Sequence, residues 1–122
     1  MINNYGTKIG TIKGDDKVIL ISDAYACDGP IPPGYDGVDD INFDWEGEIA
    51  GSKLTLDIAC RNALKHLGAS VVDAFRFASY NPAMAVGFYD RGEIAVGKRA
   101  DLVIVDHWMK VNKVIFEGET VQ

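Results

Sequence analysis

A chain of 122 residues is long enough for one compact domain but far shorter than the roughly 250 residues of a complete β/α barrel. Its hydrophobic fraction of 48% and charged fraction of 25% are typical of a soluble protein. The 12 basic and 18 acidic residues give a net charge of -6 and form no Lys/Arg stripe, which argues against a nucleic-acid partner.

The sequence also argues against a membrane protein or a secreted one. No uninterrupted apolar stretch approaches the roughly 20 residues of a membrane-spanning helix, and no charged-then-apolar signal segment follows Met1. Cys27 and Cys60 are isolated and far apart, which fits reduced thiols better than a disulfide framework. We therefore expect a cytoplasmic protein.

The first predicted element is a short strand at about residues 17–22. Its apolar, β-branched run is typical of a strand buried on both faces of a sheet. Asp23 follows at once, and the C-terminal end of a strand is where α/β barrels place their catalytic groups. Asp23 is therefore a candidate for proton transfer. The alternative is a carboxylate that caps the loop by accepting backbone N–H bonds.

A long loop rich in proline and glycine is predicted for residues 25–47. A loop of this length in a compact domain is usually functional or disordered. Residues 38–45 alternate loosely between apolar and polar and could form one arm of a hairpin. The aromatic residues Tyr25, Tyr35 and Trp45 could line the mouth of a pocket or form a small core within the loop.

Three helices are predicted next. Ser52 can cap a first helix whose apolar residues between 56 and 67 share one face, and Gly68 ends it. Ser70 begins a second helix, with Asp73 three residues later as a weak form of the capping box. The pair Asn81-Pro82 ends that helix and opens a third, with Asn81 as its cap and the proline at its first position.

After Gly87 the hydrophobic pattern changes from helical to strand-like. Residues 101–106 and 110–116 read as two apolar strands, and the turn at Glu117-Gly118 leads to a last short strand at Thr120-Val121. The end of the chain is therefore predicted to be a small antiparallel β unit.

The segment Glu48–Ser52 is a second candidate site. Gly51 would allow close approach of the backbone to a ligand, and the N–H groups that open a helix favour anions. The residues alone favour the simpler interpretation, which is an ordinary helix N-terminus.

The other side chains that could take part in chemistry, which are charged residues and histidines, are interpreted as structural. Residues 94–103 predict a turn that enters a strand, with Lys98 and Arg99 solvated. His66 falls late in a helix and His107 in a loop, and neither has the spacing of a metal ligand. We therefore expect the metal ligands of a hydrolytic site to be absent from this chain.

At these same residues the chain resembles the N-acetylglucosamine-6-phosphate deacetylases. Residues 21–24 look like the catalytic-aspartate segment of that family, and residues 49–57 and 81–83 are similar to two further segments of it. The segment 92–103 is shared more broadly across the amidohydrolase superfamily. The resemblance extends from about Lys17 to Val121, and the combination of segments is specific.

The resemblance implies an α/β fold, or α+β for the isolated chain. Residues 1–86 would be the last strand and helices of a metal-dependent β/α barrel, and residues 87–122 a small antiparallel β unit from the flanking β-sandwich. It also implies that Asp23 takes a proton from a metal-activated water and passes it to the leaving amine. Ile49, Ala50 and Gly51 would contact the phosphorylated amino-sugar substrate, and the products would be glucosamine 6-phosphate and acetate.

In that family the metal-binding and phosphate-binding residues lie upstream of the part matched here. We therefore expect a C-terminal portion, roughly the final third of such an enzyme, that is inactive by itself. A divalent metal, zinc or iron, would belong to the complete enzyme and would not bind tightly to this chain. Residues 18–20 would lack sheet neighbours, which predicts self-association, pairing with the missing barrel segment, or a rearranged α+β unit.

Two alternatives stay open. The segment around Gly97 is compatible with another amidohydrolase that acts on a cyclic amide or on a different acetylated sugar. The chain could also be a non-catalytic domain that uses the same scaffold for association.

Overall fold

A computed structural model of the protein describes residues 14–26 and 28–122. These residues form a mixed α/β structure, in which a run of helices lies between two small antiparallel sheets along the chain. In the described ranges, no helix combines the length and the apolar character needed to cross a bilayer. The prediction made for the thiol of Cys27 lies outside the described residues.

The first sheet is a hairpin of β1 (Ile41–Phe43) and β2 (Ile49–Ser52). Asn42 lies opposite Gly51 in the antiparallel register. The connecting turn is held by the carboxylate of Asp44, which accepts hydrogen bonds from two backbone N–H groups at 3.0 and 2.8 Å. The hairpin arm predicted for residues 38–45 is therefore confirmed, with the strand itself limited to three residues.

Helix α1 spans Leu56–Leu67 and buries its small residues. Gly68 ends it as predicted, with a left-handed φ of 67° and an N–H that donates to the Ala63 carbonyl. The prediction that Ser52 caps this helix is wrong, because Ser52 is the last residue of β2 and Thr55 precedes the first helical residue. The buried residues of α1 are Ala59, Cys60 and Ala63.

Helix α2 (Val71–Phe75) begins with the predicted capping box. The Ser70 hydroxyl accepts from the Asp73 N–H at 3.1 Å, and the Asp73 carboxylate accepts from the Ser70 N–H at 3.0 Å. These two reciprocal bonds satisfy N–H groups that have no partner inside the helix.

The helical path then continues without a break through a π-helical turn, Arg76–Tyr80, into α3, Asn81–Ala85. The prediction that Asn81 caps a separate helix is wrong, since its φ of -60° and ψ of -47° are helical. Its side chain donates instead to two backbone carbonyls near the start of the described chain. Those long-range bonds replace the local capping bond that the Asn-Pro pair had indicated.

The second sheet contains β3 (Leu102–Val105), β4 (Val111–Phe116) and β5 (Glu119–Thr120), all antiparallel and in that order. This confirms the predicted antiparallel β unit at the end of the chain. The β3–β4 turn is fixed by Asp106, whose carboxylate accepts from the N–H groups of Trp108 and Lys110 at 2.8 and 3.0 Å.

The buried strand predicted at about residues 17–22 is wrong. A short 3-10 turn, Asp15–Lys17, leads into an extended segment without strand pairing, in which Ile19 and Ile21 are 39% and 71% exposed. A strand needs a ladder of backbone hydrogen bonds to a neighbour. Within the described residues this segment has one parallel bridge, between Ala24 and Ser52, and its other bonds go to a helix carbonyl and to side chains.

The main core joins the helices to the second sheet. Cys60, Ala74 and Met109 form a buried cluster, against which Leu20, Leu64, Ala78 and Val105 pack. This core is small, and many large apolar side chains remain exposed. Among them are Ile21, Trp45, Ile94, Val96 and Trp108.

Candidate functional site

Asp23 lies on the extended segment in an exposed and conformationally unusual position. Its φ of 51° is left-handed, a conformation that aspartate tolerates better than most residues with a side chain. Within residues 14–26 and 28–122 its carboxylate accepts no hydrogen bond and forms no ion pair. The loop-capping alternative therefore finds no support in the described part of the chain, and the carboxylate is open to solvent.

The structure brings Asp23 and the second candidate segment together. The N–H of Ser52 donates to the carbonyl of Asp23 at 2.9 Å, and Ala24 forms a parallel bridge with Ser52. The hydroxyl of Ser52 also donates to the carbonyl of Ser22. Two segments separated by about 30 residues in the sequence therefore lie side by side.

Gly51 is required for this close approach. A Cβ at this position would lie 2.7 Å from the Asp23 carbonyl oxygen and 2.9 Å from the Cβ of Tyr25, both closer than real Cβ atoms come to other atoms. The backbone that approaches Gly51 is thus the one that carries Asp23. The sequence had suggested a ligand in that place.

The sequence favours a helix N-terminus for the segment Ile49–Gly51, and this prediction is wrong. The segment belongs to strand β2, and α1 begins four residues after the strand ends. Ile49 is 59% exposed, while Ala50 and Gly51 are half-buried. Of these three residues, Ile49 is therefore the most accessible to a molecule in solution.

A buried polar residue that sequence reasoning missed holds these segments in register. The side-chain amide of Asn42, which is only 6% exposed, donates to the carbonyls of Tyr25 at 2.6 Å and Ser52 at 3.2 Å. The signal that could have found it is a polar residue between Ile41 and Phe43, in the middle of an apolar strand.

The sequence allows the aromatic residues of the long loop to form a small core or to line the mouth of a pocket, and the structure separates them into a packed residue and two exposed ones. Tyr35 packs edge-on against the buried Phe43 ring, with centroids 5.1 Å apart. Tyr25 and Trp45 are 52% and 73% exposed, so they are free to contact a ligand or another protein surface.

A cavity of about 560 Å³ lies apart from Asp23, between the helices and the second sheet. Its lining is mainly apolar, and it contains neither Asp23 nor any residue of β2. Burial raises the pKa of the Cys60 thiol in its wall, so this thiol stays protonated and unreactive at neutral pH. The wall also contains charged side chains, among them Asp57, Arg76 and Asp101. Among the lining residues are Leu56, Cys60, Phe75, Leu102, Val105 and Met109.

The described residues do not fit a complete metal centre. In the parts of the chain that the structure covers, no three His, Cys, Asp or Glu side chains lie close enough to hold one ion. His66 is exposed in the last turn of α1, and His107 packs against Trp108 with ring centroids 4.7 Å apart.

The charged segment around residues 94–103 forms a turn that enters β3, as predicted, but its two cations are partly buried and paired with carboxylates. Lys98 pairs with Glu93 at 2.7 Å, and its side chain is only 21% exposed. Arg99 donates to Asp101 at 3.0 Å and to Glu117 at 2.6 Å. The backbone N–H of Glu117, with help from Arg99, lowers the pKa of Asp101. These bonds fasten the entry of β3 to the end of β4.

Comparison with known proteins identifies the family of the chain. The sequence pattern of the amidohydrolase family matches residues 10–121, which is most of the chain. The chain belongs to the amidohydrolase family. The family resemblance predicted from the sequence is therefore confirmed.

This amidohydrolase chain is similar to the N-acetylglucosamine-6-phosphate deacetylase of Lysinibacillus sphaericus, with 32% identity over 114 residues that cover 88% of the chain and 30% of the relative. It is also similar to an adenine deaminase of Methanothrix thermoacetophila, with 44% identity over 54 residues, 44% of the chain and 10% of the relative. The crystal structure of the N-acetylglucosamine-6-phosphate deacetylase from Thermotoga maritima superposes with a TM-score of 0.77 and 33% identity. That match covers 96% of this chain and 34% of the solved one. The chain thus spans about a third of the length of the deacetylases it matches.

Proposed function

We propose that this amidohydrolase chain is part of a cytoplasmic hydrolase that deacetylates N-acetylglucosamine 6-phosphate to glucosamine 6-phosphate and acetate. Asp23 would transfer the proton, and Ile49, Ala50 and Gly51 would contact the sugar. One observation carries the proposal. The backbone of Asp23 is hydrogen-bonded to the end of β2 through Ser52, and its carboxylate is exposed.

The reaction needs a group that accepts a proton and then returns it. Water adds to the acetamide carbonyl, its proton must be removed, and the amine must be protonated before the C–N bond breaks. A carboxylate without a fixed partner can do both, first as base and then as acid. Asp23 fits this role because its carboxylate is exposed and forms no ion pair in the described part of the chain.

Any metal would need ligands beyond those described. Because residues 14–26 and 28–122 bring no three ligand side chains together, we derive no step through an ion on this chain. The chain's own contribution is the proton-transfer carboxylate and the sugar-contacting strand. Zinc or iron, with the phosphate-binding residues, would belong to the other parts of a complete enzyme.

We further propose that residues 1–86 correspond to the last part of a β/α barrel and residues 87–122 to part of a flanking β-sandwich. The exposed Ile19 and Ile21 lie on the extended segment, where a neighbouring strand could cover them. That strand would come from a second copy of the chain or from the remainder of such an enzyme. If the chain is stable and monodisperse, and neither partner increases its stability or gives it activity, the hypothesis of a non-catalytic association domain would be favoured instead.

The test is a chimeric enzyme. This chain replaces the matching segment of the Lysinibacillus sphaericus deacetylase, and acetate release from N-acetylglucosamine 6-phosphate is measured with zinc or iron added. We expect turnover, and we expect Asp23→Asn to lower kcat by a factor of about 100 or more, which is typical for loss of a general base. Asp39→Asn, on the exposed loop, is the matched control. Equal turnover in the two variants would contradict the role of Asp23.

The similarity to an adenine deaminase supports a second candidate, hydrolytic deamination of a cyclic amidine. This candidate depends on a match of 54 residues, whereas the match to the deacetylase covers 114. Ammonia release from adenine by the same chimera, exceeding acetate release from the sugar phosphate, would favour it.

A further inference from the structure

Two asparagines are the buried polar residues in the described part of the chain. Asn42 is 6% exposed and Asn81 is 4% exposed. A buried amide is costly unless its hydrogen-bonding groups find partners. In both residues the side-chain NH2 group donates to two backbone carbonyls, so its donors are satisfied.

Asn81 holds the N-terminal end of the extended segment that carries Asp23. Its Nδ2 donates to the carbonyl of Val18 at 2.6 Å and to that of Asp15 at 2.7 Å. Because Asn81 lies within the continuous helical path, it ties this end of the segment to the helices.

Asn42 holds the other end. Its Nδ2 donates to the carbonyl of Tyr25 at 2.6 Å and to that of Ser52 at 3.2 Å. The same amide thus reaches the residue two positions after Asp23 and the last residue of β2. It therefore links the backbone that carries Asp23 to the strand proposed to contact the sugar.

Two backbone bonds lie between these ends. The Leu20 N–H donates to the Phe77 carbonyl, in the π-helical turn, at 3.0 Å, and the Ser52 N–H donates to the Asp23 carbonyl at 2.9 Å. π-helical turns are rare and occur frequently at functional sites. The Ser52 hydroxyl also donates to the Ser22 carbonyl, so the segment is anchored along its length by contacts that a regular sheet ladder would otherwise supply.

We propose that Asn42 and Asn81 are positioning residues, which fix the segment 18–25 so that the backbone that carries Asp23 stays beside β2. The link to catalysis rests on the proposed function above. That the two asparagines hold the segment in place does not depend on that function, and the two statements are tested separately.

The first test uses the unmutated chain. Hydrogen exchange of side-chain amide protons is followed by NMR for Asn42 and Asn81, with the exposed Asn62 and Asn112 as internal controls. Exchange at the two buried amides is expected to be at least about tenfold slower, since each proton is hydrogen-bonded away from solvent. Equal exchange at all four asparagines would overturn the proposal without any variant having to fold.

The second test asks whether each amide acts locally. In Asn42→Ala, backbone exchange at the Ser52 N–H is expected to rise about tenfold, whereas Asn81→Ala should raise exchange at the Leu20 N–H. The Ala59 N–H within α1 should be unaffected in both, as it should in the control Asn62→Ala. A similar rise at all of these amides would show a general loss of stability and overturn the positioning role.

The third test measures catalysis in the chimera. Asn81→Ala is expected to lower kcat about tenfold with KM changed less than twofold, because both side-chain bonds of Asn81 go to the start of the segment and neither goes to β2. An unchanged kcat, or a loss confined to KM, would overturn the link to catalysis. Failure of the unsubstituted chimera to turn over would refute the proposed function, while the exchange results would still decide whether the two asparagines hold the segment in place.

Discussion

The contact between Gly51 and the Asp23 segment can be tested by adding a single methyl group. In Gly51→Ala the new Cβ would lie 2.7 Å from a backbone oxygen of Asp23, and ordinary contact begins at 3.4 Å. Strand β2 and the extended segment that carries Asp23 must therefore separate by about 0.7 Å. Neither close atom is the end of a flexible side chain, since one is a carbonyl oxygen and the other is the Cβ of Tyr25.

The expected cost follows from three contributions. Overpacking of this kind costs about 1–3 kcal/mol. Separation also weakens the 2.9 Å bond from the Ser52 N–H to the Asp23 carbonyl, worth about 1 kcal/mol. Against this, alanine restricts the unfolded chain and returns about 0.4–1 kcal/mol. The free energy of unfolding should therefore fall by about 1–3 kcal/mol, a factor of about 5 to 150 in the folding equilibrium.

The assay is urea unfolding followed by circular dichroism, together with hydrogen exchange at the Ser52 N–H. The control is Gly34→Ala, where the added Cβ meets nothing within 4 Å and only the positive φ of 94° opposes the side chain. The control should lose stability through backbone strain but keep the Ser52 N–H protected. If Gly51→Ala loses less than about 0.5 kcal/mol and keeps that protection, the close approach has been misjudged.

Two further predictions concern titratable groups. The backbone N–H groups of Lys110 and Trp108 lower the pKa of Asp106, so the carboxylate stabilises the fold above its unfolded pKa of about 3.9, and this stability is lost as pH falls through the lower folded pKa. The free energy of unfolding, measured by urea titration, should therefore fall less between about pH 4 and pH 2 in Asp106→Asn than in the unsubstituted protein. An equal fall in both proteins would contradict this reasoning. Burial raises the pKa of the Cys60 thiol, so at pH 8 its alkylation by iodoacetamide should be slow in the native protein and fast in urea. Mass spectrometry of the Cys60 peptide measures both rates, and rapid native alkylation would show that the thiol is not protected.

The predictions that held depend on residues close together in the sequence. The Ser70–Asp73 capping box spans three residues, and Gly68 ends α1 with a bond to a carbonyl of the same helix. The antiparallel strands at the end of the chain need only short turns. In each case the partner is a near neighbour, so composition and spacing are sufficient to identify it.

The predictions that failed depend on distant partners. Residues 17–22 have the composition of a buried strand, but composition does not supply the neighbouring strand that would pair with them. Asn81 followed by Pro82 is a good local cap, but its amide makes two hydrogen bonds to carbonyls 63 and 66 residues earlier. The sequence predicts Ser52 at a helix start, but Ser52 ends a strand, because its N–H and hydroxyl bond to the Asp23 segment.

The sequence by itself determined the order of helices and strands after residue 52, the family resemblance, and Asp23 and residues 49–51 as the candidate site. Only the tertiary structure decided that these two segments touch, that Gly51 must lack a side chain for them to do so, and that Asn42 reaches across to Tyr25. The physical reason is that a capping bond or a turn is selected by its own few residues. A contact between segments about 30 residues apart exists only once packing has brought both backbones within hydrogen-bonding distance.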